Sequence, residues 1–239
     1  MRLNALRGND AGGRNVLVGF DETEIYPGTC SHRECVSPNH SLRTIPNLIT
    51  CGRTIACLAL TAASVYGHQL LACVAALAVY WLGDILDGWV ARATDRETAV
   101  GAVLDIACDR ICILLVFLAY LSAGLTGHLA SIWVFLTEFL IIDSILSLSF
   151  LAWPIRSPNY FYVVSRRAYL FNWSRPAKSL SSGLFIVLVA VDVHPALSMT
   201  VALGLLVSKT YWLVVVSRLP RLPIAGTSCA WELSRPHQG

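Results

Sequence analysis

Asp84-Ile-Leu-Asp87-Gly88-Trp-Val-Ala91-Arg92, then eight residues, then Gly101-Ala-Val-Leu-Asp105-Ile-Ala-Cys-Asp109: the reading of this chain turns on that stretch. Its four aspartates lie in or beside sequence apolar enough for a membrane interior. On insertion scales each carboxylate there costs roughly 2.5–3.5 kcal/mol. Four that face one another also repel, so they are tolerable only around positive charge. A pair of divalent cations meets that need and points to metal-dependent chemistry at a membrane surface.

The rest of the chain agrees with a membrane setting. Its 239 residues are 55% hydrophobic and only 14% charged, whereas a soluble domain carries about 25% charged residues. The composition predicts an all-α integral membrane protein. The net charge of +3 is small, and no nucleic-acid partner is expected. A spanning helix needs about 20 apolar residues to cross roughly 30 Å of hydrocarbon. That rule places six spans over 46–66, 70–91, 99–124, 128–153, 178–195 and 197–217, with Pro195 marking the end of the fifth.

Arginine sets the expected orientation. The turns at Gly67-His68, Gly127-His128 and His194-Pro195 contain no Lys or Arg. The opposite connections carry Arg92 and Arg96, then Arg156, Arg166, Arg167 and Arg175, and the flanks add Arg43, Arg218 and Arg221. Positive residues mark the cytoplasmic side. Both termini are therefore expected in the cytoplasm, with the acidic motif opening there. His68, His128 and His194 are read as outer interfacial residues.

The expected layout is a polar, mostly disordered tail over 1–44, a membrane domain over 45–217 and a C-terminal tail over 218–239. No secretory signal is read at the start of the chain, which lacks a short apolar run and a cleavage site. Cys51, Cys57, Cys73, Cys108 and Cys112 lie in apolar segments, where cysteine acts as a small buried hydrophobe. Cys30 and Cys35, near His32 and His40, could form a metal cluster; a flexible tail is the plainer reading.

Helical spacing explains the motif. Asp84, Asp87, Gly88 and Ala91 share one stripe, and Gly101, Asp105 and Asp109 share another on the next helix. A short connection makes the two helices antiparallel neighbours, so the stripes can face each other. Hard oxygen donors suit Mg²⁺ or Mn²⁺. Small residues let backbones approach and leave room above the cations, and Arg92 at the mouth can pair with phosphate oxygens. Together these features describe a diphosphate site. Asp109, the deepest acid, is the candidate general base.

The pattern Asp84-x2-Asp87-Gly88-x2-Ala91-Arg92-x8-Gly101-x3-Asp105-x3-Asp109 resembles the signature of the CDP-alcohol phosphatidyltransferase family, with every fixed position present. The likeness extends to Pro46-Asn47-Leu48-Ile49-Thr50, with Arg53 one turn on, and covers roughly residues 45–217. It implies attack of an alcohol on CDP-diacylglycerol with release of CMP, two divalent cations (Mg²⁺ or Mn²⁺) and a homodimer. It implies that Asp84, Asp87 and Asp105 bind metal and that Asp109 binds metal and acts as base. It further implies that Asn47, Thr50, Gly88, Arg92 and Thr98 hold the CDP-lipid. The sequence is similar to bacterial phosphatidylglycerophosphate and phosphatidylinositol phosphate synthases. That likeness implies a polyol-phosphate acceptor, glycerol 3-phosphate or inositol phosphate, and a bacterial plasma membrane.

Arg156, Lys178 and Lys209 are candidates for the acceptor. Glu138, Asp143 and Lys209 are ionisable residues within spans. They are read either as an acceptor pocket or as buried Asp143–Lys209 or Glu138–Arg110 pairs that fix packing. The alternative to a transferase is a divalent-cation transporter that uses the aspartates as a binding site.

Overall fold

Helix-starting chemistry recurs along the chain. Thr44 caps the first long helix, α1 (Ile45–Gly67), by accepting from the Asn47 amide, and Pro46 sits in its first turn. Proline fits there because its missing N–H is one that the first turn cannot use anyway. His68 ends α1 in the left-handed region, at φ 50°. Then come α2 (Leu70–Ala93) and α3 (Ala99–Ser122), the latter capped by Thr98, whose side chain accepts from the Gly101 amide. α4 (Leu129–Ala152) is one apolar rod, interrupted by a π-turn over Glu138–Ile142. A 3-10 segment, Pro158–Val163, leads to α5 (Arg166–Asn172). α6 covers residues 175–190 with a second π-turn at Ser179–Gly183, and α7 is Pro195–Ser217.

This computed structural model describes residues 7–9, 15–17, 34–35 and 42–220. Outside the helices the described residues include one small antiparallel ribbon, β1 (Arg7–Asn9) paired with β2 (Asn15–Leu17). It is an addition to the all-α expectation. α1, α2, α4 and α7 are long and apolar enough to cross a membrane. Their outer faces expose Leu71, Leu82, Ile55 and Val207, as lipid-facing helices do. The protein is an integral membrane protein of helical class. α3 is as long as α2, but its charged residues Asp105, Asp109 and Arg110 reach its middle, whereas Asp84, Asp87 and Arg92 of α2 lie toward its C-terminal end.

Two apolar centres hold the bundle. In the first, Phe135 stacks on Phe185 at 4.2 Å and on Phe139 at 5.5 Å, with Phe117 edge-on to Phe135. Such ring pairs add about 0.5–1.5 kcal/mol each beyond burial. The second gathers Leu146, Phe150, Trp153, Ile155, Phe161 and Trp173 beneath the arginine-rich connections. Cys35 is buried in it, and an isolated bridge pairs Cys35 with Ile155. This residue of the tail is thus docked against the bundle among apolar side chains; the other residues of the suggested cluster, Cys30, His32 and His40, lie outside the described residues.

Polar ties brace the arginine-rich side. Glu97, just after the α2–α3 turn, accepts from Ser157 at 2.9 Å and from Tyr160 at 2.6 Å. Arg156 donates to the Cys35 carbonyl at 2.6 Å and to Asp95 at 3.2 Å. Tyr162 donates to Glu34 at 3.0 Å, and burial, reinforced by that carboxylate, pushes its phenol up to about 12.

The expected end of the fifth span needs correction on the opposite side. Pro195 does not end the fifth span; it begins α7, where His194 caps the Ala196 amide. The helix of that span, α6, stops at Ala190, and the chain turns through Asp192 at φ 54°. His128, read as an interfacial residue, is 1% exposed at the start of α4, lying between Ser198 at 2.9 Å and Asp192 at 3.0 Å. Buried polar groups need such partners.

Candidate active site

α1, α2 and α3 pack together because small residues line their contact. A Cβ at Gly101 would lie 2.7 Å from the Asn47 carboxamide oxygen and 3.0 Å from the Thr98 hydroxyl. A Cβ at Gly83 would lie 2.5 and 2.7 Å from the Arg53 side chain. Glycine at 101 therefore lets α3 close on α1, and glycine at 83 makes the berth for an arginine.

That arginine organises the acidic motif. Arg53 Nε donates to Asp87 Oδ2 at 2.9 Å, and Nη2 donates to Asp105 Oδ1 at 2.5 Å and Asp109 Oδ1 at 2.8 Å. Nη2 also lies 3.9 Å from Asp84 Oδ1. The guanidinium sits 5.5 Å from the centre of the buried Tyr80 ring. Thr50 donates to the same oxygen of Asp87 at 2.7 Å. The structure thus brings together the two stripes expected from spacing, with a resident cation between them that the sequence reading did not anticipate.

The four carboxylates differ in exposure. Asp87 is buried, whereas the side chains of Asp84, Asp105 and Asp109 are 45%, 35% and 19% exposed. One oxygen from each of these three lies within 4.8 Å of the others. Four acids against one guanidinium leave a formal charge of −3. Hard, negatively charged oxygens converging on an accessible point suit Mg²⁺ or Mn²⁺, so the donor set fits the expected divalent cations.

A cavity of about 700 Å³ opens onto this cluster. Its wall includes Asn47, Thr50, Gly88, Arg92 and Thr98, every residue expected at the CDP-lipid. Arg92 folds over Gly88: a Cβ at 88 would come 3.2 Å from its guanidinium. The wall continues to Lys178 and Lys209 but does not include Arg156. Arg156 is instead used to brace Asp95 and Cys35. Lys178 donates to Asn159 at 3.1 Å.

A second charged group lies deeper along the cavity. Asp143 takes Lys209 on one oxygen at 2.7 Å and Arg110 on the other at 2.5 Å. Arg110 also donates to Ser144 at 3.0 Å and lies 3.9 Å over the Phe139 ring. Of the two pairings open from sequence, Asp143–Lys209 forms, and Arg110 turns to Asp143 in place of Glu138. Glu138, 2% exposed, sits in the π-turn of α4 on the cavity wall.

The sequence profile of the CDP-alcohol phosphatidyltransferase family matches residues 43–209, so this chain belongs to that family. It is an enzyme of lipid metabolism that transfers a substituted phosphate group from a CDP-alcohol to an acceptor. No curated protein and no solved structure matches the chain significantly. The family match sets aside the cation-transporter alternative.

Proposed function

We propose that the enzyme moves a phosphatidyl group from CDP-diacylglycerol to a hydroxyl of a polyol phosphate, glycerol 3-phosphate or inositol phosphate, and releases CMP. The observation that carries this reading is the cavity. It joins three converging carboxylates to Arg92 on one side and to Lys178 on the other, among apolar side chains such as Ile85 and Leu184. A lipid with a nucleotide head and a small charged alcohol need such a two-ended space.

Divalent cations held by Asp84, Asp87, Asp105 and Asp109 would neutralise the diphosphate and the leaving phosphate. Asp109 takes the proton of the acceptor hydroxyl. The freed oxygen forms its bond to the phosphorus that bears diacylglycerol, the bond from that phosphorus to the bridging oxygen breaks, and CMP departs with the electron pair. Arg92 holds diphosphate oxygens, and Asn47, Thr50, Gly88 and Thr98 shape the nucleotide end. Among the three candidate acceptor cations, Lys178 alone both lines the cavity and has no carboxylate at ion-pair distance among the described residues. It is the residue we assign to the acceptor phosphate.

The enzyme works as a homodimer in a bacterial plasma membrane, with six spans and both termini cytoplasmic. α3 supports the count: at 1.5 Å per residue its length reaches roughly 36 Å, and its charged residues face the cavity or Asp143 rather than lipid. The test is to incubate the purified protein with labelled CDP-diacylglycerol, Mg²⁺ or Mn²⁺, and a panel of polyol phosphates. CMP release should require one acceptor and stop with chelator. Release of CMP with no phosphorylated acceptor preferred over its free alcohol would sink the acceptor assignment.

A further inference from the structure

Arg53 is a fully charged side chain, 2% exposed, in the middle of an apolar helix. Burying a guanidinium is costly unless its charge and its donors are met. Here Nε and Nη2 are met by Asp87, Asp105 and Asp109, while Nη1 is buried with no hydrogen-bond partner. Its position is enforced from three sides. Gly83 leaves the berth in which its aliphatic stem lies, Tyr80 backs the guanidinium, and Thr50 fixes Asp87 by donating to the same Oδ2 that Arg53 holds. Arg53 is not on the cavity wall, whereas Asp84, Asp105 and Asp109 are. The cation therefore sits behind the carboxylates and draws on them from the protein side, leaving their other face to the cavity.

We infer that Arg53 is a resident counterion of the metal site: it holds the four carboxylates in register before any cation arrives, and it weakens their grip on the cation that binds. The inference rests on the metal site proposed above. Both effects follow from one charge. Removing it leaves four acids with nothing between them, which loosens the metal-free protein. The same removal frees Asp105 and Asp109 and raises the formal charge facing a cation from −3 to −4, which tightens metal binding. An arginine with a packing role alone would lower stability without tightening the binding of Mn²⁺.

The test uses the full chain in detergent, with free Mn²⁺ followed by electron paramagnetic resonance and thermal melts taken with and without Mn²⁺. Arg53→Met should bind Mn²⁺ roughly tenfold or more tightly than the unaltered protein. Its metal-free melting point should fall, and Mn²⁺ should recover more of it than in the parent. Gly83→Ala guards against misfolding of that variant. The added methyl crowds Arg53 without removing any charge, and it should also tighten Mn²⁺ binding. If the parent binds Mn²⁺ and both variants bind it equally or more weakly, the role of Arg53 is overturned. If the parent binds no Mn²⁺, the metal site falls and this inference falls with it.

Discussion

Arg53 faces Asp84, Asp87, Asp105 and Asp109 on one wall of the cavity, while Arg110 and Lys209 share Asp143 on another. The first group has too few cations, and its acids reach 45% and 35% exposure at Asp84 and Asp105. The second has enough: two cations bracket Asp143, which is 13% exposed, with Glu138 close by. An unbalanced, accessible cluster has charge left for a ligand. A balanced, enclosed one has used its charge on itself and fixes α3, α4 and α7 against one another. The two are sequence neighbours, since Asp109 and Arg110 are adjacent, yet they point into different chemistry.

Breaking the first cluster should produce the largest change. Asp109→Asn should lower CMP release about 10²- to 10⁴-fold, the usual loss of a general base, while the melting point stays near the parent's. Retained turnover would return Asp109 to a purely electrostatic place in the cluster. In the second cluster the effect should be on stability. Asp143→Asn strands Arg110 and Lys209 without a carboxylate and should cost about 3–5 kcal/mol in denaturant titrations. Lys209→Met should leave the acceptor KM unchanged, because its charge is already spent on Asp143; a raised KM would erase the contrast between the clusters.

Lys178→Met tests the mouth of the cavity. Loss of a charged hydrogen bond to phosphate should raise the acceptor KM about tenfold or more, with little change in the KM for CDP-diacylglycerol. The smallest effect belongs to Thr98→Ala. Removing the cap of α3 should cost about 1 kcal/mol, read as a lower melting point. Because the α3 stripe starts at that cap, a modest loss of Mn²⁺ affinity should accompany it.

Much of this was legible in residue order. Helix positions followed from apolar length, and the facing stripes followed from i, i+3 and i+4 spacing. The residues expected at the CDP-lipid, Asn47, Thr50, Gly88, Arg92 and Thr98, all line one cavity. Arg53 was visible as an ionisable residue three positions after Thr50 within an apolar span, a signal that marks function by default. Its partners were not visible, because they lie 34 to 56 residues away. Pro195 was misplaced for a local reason: proline is compatible both with the end of one helix and with the first turn of the next.

The amino-acid order by itself determined the class of fold, the four acids, their two stripes and the family, since periodicity and spacing are properties of a single chain. Tertiary structure alone decided which cation meets which acid. Asp109 and Arg110 differ by one position, about 100° of helical turn, and that rotation sends one toward Arg53 and the other toward Asp143. Only the packing of α1 and α4 against α3 supplies those partners. Charge balance, and with it the division between a cluster with charge left over and one that is balanced, is therefore a property of the assembled bundle.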